Sequence, residues 1–405
     1  MCAVRREVAA APMASVGRMR SLAIDYERRL IGVELADGQR ASAALRSGAS
    51  ADFIARASYD VQADELTLAF RDGEGLTLEV GGRGSLAGGP VVYLDQNHWI
   101  SLAQHRYAPG KVRSEEREAC AALSALAARG DVILPLSGAH AVETARSDGR
   151  WRHDLAMTML GLSHGWQMLS PLKVRTLELA RDMSGIPAAH EERTDVFTLE
   201  PEALFATQPS REPDDATDLP RPARELARRL TWASTFAETL LEDEIADEQH
   251  GPELADKWAQ VHGELAEFMR SRRMPREHVR LNAHACVLAD LQPDIARAVS
   301  AAGITHSELD RWLYGMRTDM RRMPYIGRVE ELVYHRLRNA AAAWERNDLN
   351  DVHFLCCAAG YADVVVCENE TADHLGRAAR RATPGAVVCS SLAAGWDALQ
   401  AFLAR

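Results

Sequence analysis

No Cys-x-x-Cys pair occurs among the seven cysteines of this chain, so the spacing that marks a zinc ribbon or a thiol–disulfide centre is missing. Their odd number and wide scatter suit reduced thiols, and a cytoplasmic protein is the expectation. No apolar run reaches the roughly 18 residues that cross a bilayer. The first residues, with Arg5, Arg6, Glu7 and Pro12, lack the sustained apolar segment of a signal peptide, so no membrane partner is expected. There is no G-x-S-x-G elbow for a serine nucleophile. The glycine-rich GGRGSLAGG precedes a strand, where phosphate-binding glycines lead from a strand into a helix, and holds no Gly-Lys-Ser/Thr, which argues against the P-loop and dinucleotide readings. A basic excess is missing too: the net charge of −11 is awkward for a protein that grips phosphates.

What is present is an ordinary globular balance, 47% hydrophobic and 26% charged, which excludes wholesale disorder. At 405 residues the chain is long for one core, and two or three domains are expected. Residues 1–88 read as a small β-rich module with a linker. LTLAF and LTLEV alternate apolar and polar positions across the turn RDGEG, a hairpin pattern. LIGVELADGQRASAAL repeats it around Asp37-Gly38, and GGRGSLAGGP forms the linker.

From residue 89 the texture changes. VVYL is continuously apolar, as in a strand buried on both faces. A helix from about Ser114 to Ala128 closes at Gly130, and a second buried run, VILPL, leads into a helix through His140 to Arg146. This alternation over 89–150 predicts a parallel α/β sheet. Residues 151–344 show helical periodicity without a convincing strand, with the acidic SREPDDATDLPRP as an exposed loop. The α/β texture returns over 345–405: VHFLCCAAG as a helix with Cys356 and Cys357 in its core, DVVVC as a strand, a helix from Asp373, the strand GAVVCS and the helix WDALQAFLA. The sheet is therefore split in sequence by an all-helical insertion. Arginines cluster in that insertion, five from Arg270 to Arg280 and seven from Arg311 to Arg338, as phosphate-binding stretches or as plain solvated faces.

Carboxylates mark the strand ends. Asp95 follows VVYL at the edge where open α/β sheets bind ligands, although an aspartate there also caps helices. Glu143 lies in the helix after VILPL, and Glu368 follows DVVVC. Asp348 and Asp351 open the VHFLCCAAG helix three residues apart, on one face, where they also suit the positive helix end. Acids brought together repel one another unless a cation neutralises them. Oxygen ligands without cysteine or histidine suit Mg2+ or Mn2+, and phosphodiester hydrolysis is the natural chemistry. His98, Trp99 and His105 are placed to stack on a base or, more simply, to pack the first helix. Ser137 suits a substrate oxygen or a helix cap.

VVYLDQNHWISLA, SGAHAVETA and NDLNDVHFLCCAAGYADVVVCENE resemble, in order, the acidic motifs of PIN-like domain nucleases. The resemblance implies a PIN-like parallel sheet with flanking helices and metal ligation by Asp95, Glu143, Asp351 and Glu368. Asp348 is then a catalytic neighbour, and Asn97, Ser137 and Arg146 are the substrate-binding candidates. Asn369 and Glu370 compete with Glu368 for the fourth position. The implied activity is that of an endoribonuclease acting on nucleic acid, with RNA ahead of DNA because the family most often cleaves RNA. Rival expectations are a catalytically degenerate RNA-binding or scaffold protein and a hydrolase of small phosphate esters. A homo-oligomer is left open.

Overall fold

The computed structural model describes residues 19–45, 51–79, 89–147, 149–185, 196–200, 203–204, 221–241, 251–316, 320–339 and 343–404. The linker residues 81–88 and most of SREPDDATDLPRP lie outside them. The first six strands are β1 (Met19–Asp25), β2 (Leu30–Leu35), β3 (Arg40–Ala44), β4 (Ile54–Asp60), β5 (Glu65–Phe70) and β6 (Gly75–Glu79). They form one antiparallel sheet in the order β3-β2-β1-β4-β5-β6. The expected hairpin is in register, with Leu66 opposite Leu78 and Leu68 opposite Leu76. Gly73, at φ 91°, turns the chain there because L side chains rarely adopt that conformation.

A second sheet carries β7 (Val92–Leu94), with two further parallel strands from the C-terminal part of the chain. These are β10 (Val364–Val366) and β11 (Val387–Cys389), in the order β11-β10-β7. Strands β7 and β10 are apolar throughout because both of their faces are covered, whereas the edge strand β11 leaves Val387 exposed. Val92, Leu94, Val364 and Val366 enter one hydrophobic cluster, whereas Val91, Tyr93, Val365 and Cys367 enter the other.

VILPL does not form the regular strand its apolar run predicts. It makes two isolated parallel bridges, Val91 with Ile133 and Leu136 with Gln167. Pro135 sits between them and has no N–H for a ladder. The segment still passes the sheet on to β8 (Gln167–Met168), which pairs with β9 (Phe197–Thr198). These strands correct the expectation of an all-helical insertion. At two residues each they leave no period in the sequence.

The insertion also divides between the two clusters. Helices α4 (Gly149–Ser163) and α6 (Arg221–Leu241) pack beside the antiparallel sheet, sharing one core with Leu22, Leu68 and Leu94. The second cluster takes in α5 (Pro171–Met183), α7 (Gly251–Ser271), α8 (Arg276–Asp290), α9 (Gln292–Ala302), α10 (His306–Met316) and α11 (Ile326–Arg338). Of these, α5, α7 and α11 flank α12 (Asp348–Tyr361), whose second half is buried and includes the fully covered Cys356 and Cys357. The six cysteines among the described residues are free. Among those residues no helix is long and apolar enough to cross a membrane.

Glu238 of α6 fastens the antiparallel sheet to this core by accepting from the amides of Asp52, Phe53 and Ile54. Glu238→Ala leaves three donors without that partner, at roughly 1–3 kcal/mol for each one that stays dry. Urea unfolding should therefore lose about 3 kcal/mol. A loss close to zero would mean that apolar contact alone holds the module.

Candidate active site

The parallel strands deliver their acids to one edge. Asp95 follows β7, Glu368 lies two residues beyond β10, and the Asp95 amide donates to the Val366 carbonyl at 2.9 Å. Both acids are N-caps by position, Asp95 of α1 (Gln96–Tyr107) and Glu368 of α13 (Asn369–Ala379). The latter helix thus begins before the expected Asp373. Neither acid caps in the usual way. One Asp95 oxygen accepts from the adjacent Gln96 amide at 2.8 Å, rather than from the second or third residue of the helix, and the Glu368 side chain caps no amide. Asn97 Nδ2 donates instead to Glu368 Oε1, joining the two helix starts.

Glu143 comes from α3 (Gly138–Thr144), and Asp351 from the first turn of α12. Together with Asp95, Glu368, Asn97 and Arg146 they line one open cleft. Burial pushes the Asp95 carboxyl up to about 6, reinforced by the charge of Glu368 and opposed by the Gln96 amide. Burial raises Glu143 to about 7, with Asp95 and Asp351 adding repulsion and Arg146 opposing it. Asp351 also rises to about 7, through burial and then the charges of Asp95, Asp348 and Glu368, against Arg336. The four acids expected to converge therefore feel one another. They line the cleft without closing on a point: among the described residues no three His, Cys, Asp or Glu side chains form a ready metal cage.

Asp348 is placed differently. Its oxygens accept two 2.6 Å bonds from Arg336 and one from the Glu345 amide, so little of the carboxylate is left for a ligand. It is the first residue of α12, whose N-cap is Asn347. Ser137 is fully buried as the N-cap of α3, its Oγ 2.8 Å from Tyr93 Oη, and it is not among the residues that line the cleft. Arg146 does reach the cleft, where it donates to Asn347 Oδ1 at 3.1 Å. His98 and Trp99 pack α1 into the interior. Glu370, the competing acid, also lines the cleft.

The arginine stretches divide: some of their side chains pair within the protein, whereas Arg270, Arg311 and Arg338 are exposed. Arg280 grips Glu331 at 2.6 Å and 3.1 Å, Arg322 holds Asp182, and the buried Arg328 donates to the carbonyls of Pro324 and Thr383. Arg272, Arg273 and Arg276 are exposed at the α7–α8 turn. Sequence reasoning missed the pairing of Arg336 with Asp348. It also missed the buried side chains behind the acids: Gln96, His140 and Thr144. The one available sign was Ser137-x-x-His140, a capping-box spacing with histidine where Glu or Gln is usual.

No protein-family model matches this chain, and neither a curated protein nor a solved structure matches it.

The raised acids set a pH dependence whose sign is fixed. An acid with a folded-state pKa above its unfolded value keeps its proton longer when folded, so ionisation costs stability as pH rises from the unfolded to the folded pKa. For Asp95 that window runs from the ordinary value of 3.8 to about 6. Asparagine mimics the protonated form. In chelator, Asp95→Asn should match wild type in melting temperature near the bottom of that window and exceed it above the top. Melting curves in matched buffers read this difference, and a gap constant with pH would refute it.

Proposed function

We propose that the chain is a metal-dependent nuclease with a PIN-like catalytic sheet, acting as an endoribonuclease. The observation that carries this reading is the meeting of Asp95, Glu143, Asp351 and Glu368 at the carboxyl edge of the parallel sheet, with three of them raised by burial and mutual repulsion. The donor set fits Mg2+ or Mn2+: it is rich in carboxylate oxygen, and no described cysteine lines the cleft. An open row of acids suits an ion that keeps several waters and takes substrate phosphate oxygens, which needs no closed protein cage.

Asp95, Glu143, Asp351 and Glu368 would hold one or two such ions. A bound ion of this kind supplies an activated water and neutralises charge developing at phosphorus. Asn97 fixes the orientation of Glu368 by donating to one of its oxygens. Asp348 acts from outside the ligand set, adding repulsion at Asp351 and anchoring Arg336 beside the cleft. Arg146, exposed and lining the cleft, would meet a substrate phosphate. RNA is put ahead of DNA on the motif resemblance.

The test incubates the purified chain with a mixed RNA pool and, separately, with a chromogenic phosphodiester, each with Mn2+ or chelator. Internal cleavage of RNA that chelator stops supports the reading. Turnover of the small ester in preference to RNA would point to a small-ester hydrolase. No turnover of either would leave a degenerate binding protein.

A further inference from the structure

Both neighbours of Asp95 in the chain are tied to α3, the helix that carries Glu143. On one side, His140 Nε2 lies 2.8 Å from the Leu94 carbonyl. On the other, the Gln96 side-chain amide donates to Thr144 Oγ1 at 3.1 Å. His140, Thr144 and Gln96 are all buried, and the Gln96 side-chain oxygen has no partner among the described residues, so Thr144 is the anchor of this side chain.

The protonation of His140 follows from its partners. Nδ1 lies 3.0 Å from the Ser137 amide, which can only donate, so Nδ1 accepts and Nε2 carries the proton given to Leu94. Complete burial holds the ring neutral by pushing its pKa down to about 4. The ring stacks on Tyr93 with centroids 5.2 Å apart, and Tyr93 Oη meets Ser137 Oγ. Arg152 of α4 fixes the other end of α3, donating to the Ala145 carbonyl at 2.8 Å. A seven-residue helix held this way has little freedom to shift against β7.

We propose that His140 and Thr144 are positioning residues: they clamp α3 across the corner between β7 and α1 so that Asp95 and Glu143 stay together against their own repulsion. The proposal rests on reading these acids as a metal site. Partners behind metal ligands typically alter affinity about 10–100-fold when removed.

Three single variants of the full chain separate positioning from plain packing. His140→Gln places an amide nitrogen near the position of Nε2 and keeps the bond to Leu94. His140→Asn places an acceptor near the position of Nδ1, keeping the Ser137 contact and losing Leu94. Thr144→Val keeps its volume and drops the bond to Gln96. Calorimetric Mn2+ titration should show affinity weakened about 10–100-fold in His140→Asn and Thr144→Val, and near wild type in His140→Gln. Equal losses in His140→Gln and His140→Asn would overturn the proposal.

Melts in chelator give a second, metal-free reading. Asp95→Asn should raise the melting temperature of wild type by relieving repulsion, and raise that of Thr144→Val less, because the unclamped acids have already moved apart. An equal rise in both backgrounds would overturn the clamp. A wild type that takes up no Mn2+ would instead overturn the metal reading, and the chelator melts alone would then decide the clamp.

Discussion

Asp95→Asn should lower Mn2+-dependent RNA cleavage by several orders of magnitude while the protein stays folded. The substitution keeps the side-chain volume and removes one negative ligand at the centre of the cluster, where Asp95 adds to the repulsion on both Glu143 and Asp351. The fold does not need this charge: one Asp95 oxygen accepts a single amide bond, which the asparagine oxygen can also accept. Asp351→Asn should lose as much, because its carboxylate lines the same cleft and no arginine among the described residues hydrogen-bonds to it. Asp348→Asn should lose less, since Arg336 already holds both Asp348 oxygens. Single-turnover cleavage by purified proteins with matching circular dichroism separates these cases. Wild-type rates from Asp95→Asn would remove it from the chemistry.

A second large effect needs no substrate. A divalent ion that binds the folded chain and not the unfolded one stabilises by mass action, about 2.7 kcal/mol at 100 times its dissociation constant. The metal-free cluster starts from a strained position, because burial and mutual repulsion oppose ionisation of Asp95, Glu143 and Asp351. Millimolar Mn2+ should therefore raise the melting temperature of wild type clearly. Asp95→Asn should begin from a higher melting temperature in chelator and respond to metal much less. Equal metal-induced shifts in the two proteins would place the ion elsewhere and leave Asp95 as a helix cap.

The strand-end acids were legible because two signals coincide there. An unbroken apolar run such as VVYL or DVVVC marks a strand covered on both faces, and a charged residue directly after it has to leave the core at the strand's carboxyl end. The hairpin at Gly73 and the turn at Gly38 were legible because positive φ restricts the residue that can stand there. What sequence spacing misses is any contact between distant segments. Helical periodicity in α4 and α6 marks a buried face without saying that it packs toward the antiparallel sheet. The pairing of β1 with β4 spans chain that no local pattern connects. Arg336 read as one of a basic run because its partner Asp348 lies 12 residues further on, with no spacing rule to link them. Ser137 and His140 face inward, toward Tyr93 and Leu94, contacts that no spacing within SGAHAVETA announces. Pro135 was visible in VILPL, but the bridges that survive on either side of it depend on strands brought in from elsewhere.

The most direct test is an anomalous difference map from crystals grown or soaked in Mn2+. The account predicts a peak in the cleft within ligating distance of Asp95 and at least one of Glu143, Asp351 and Glu368, and no such peak in Asp95→Asn crystals treated alike. A wild-type map with no peak at this cluster, or with its Mn2+ bound elsewhere on the chain, would contradict it.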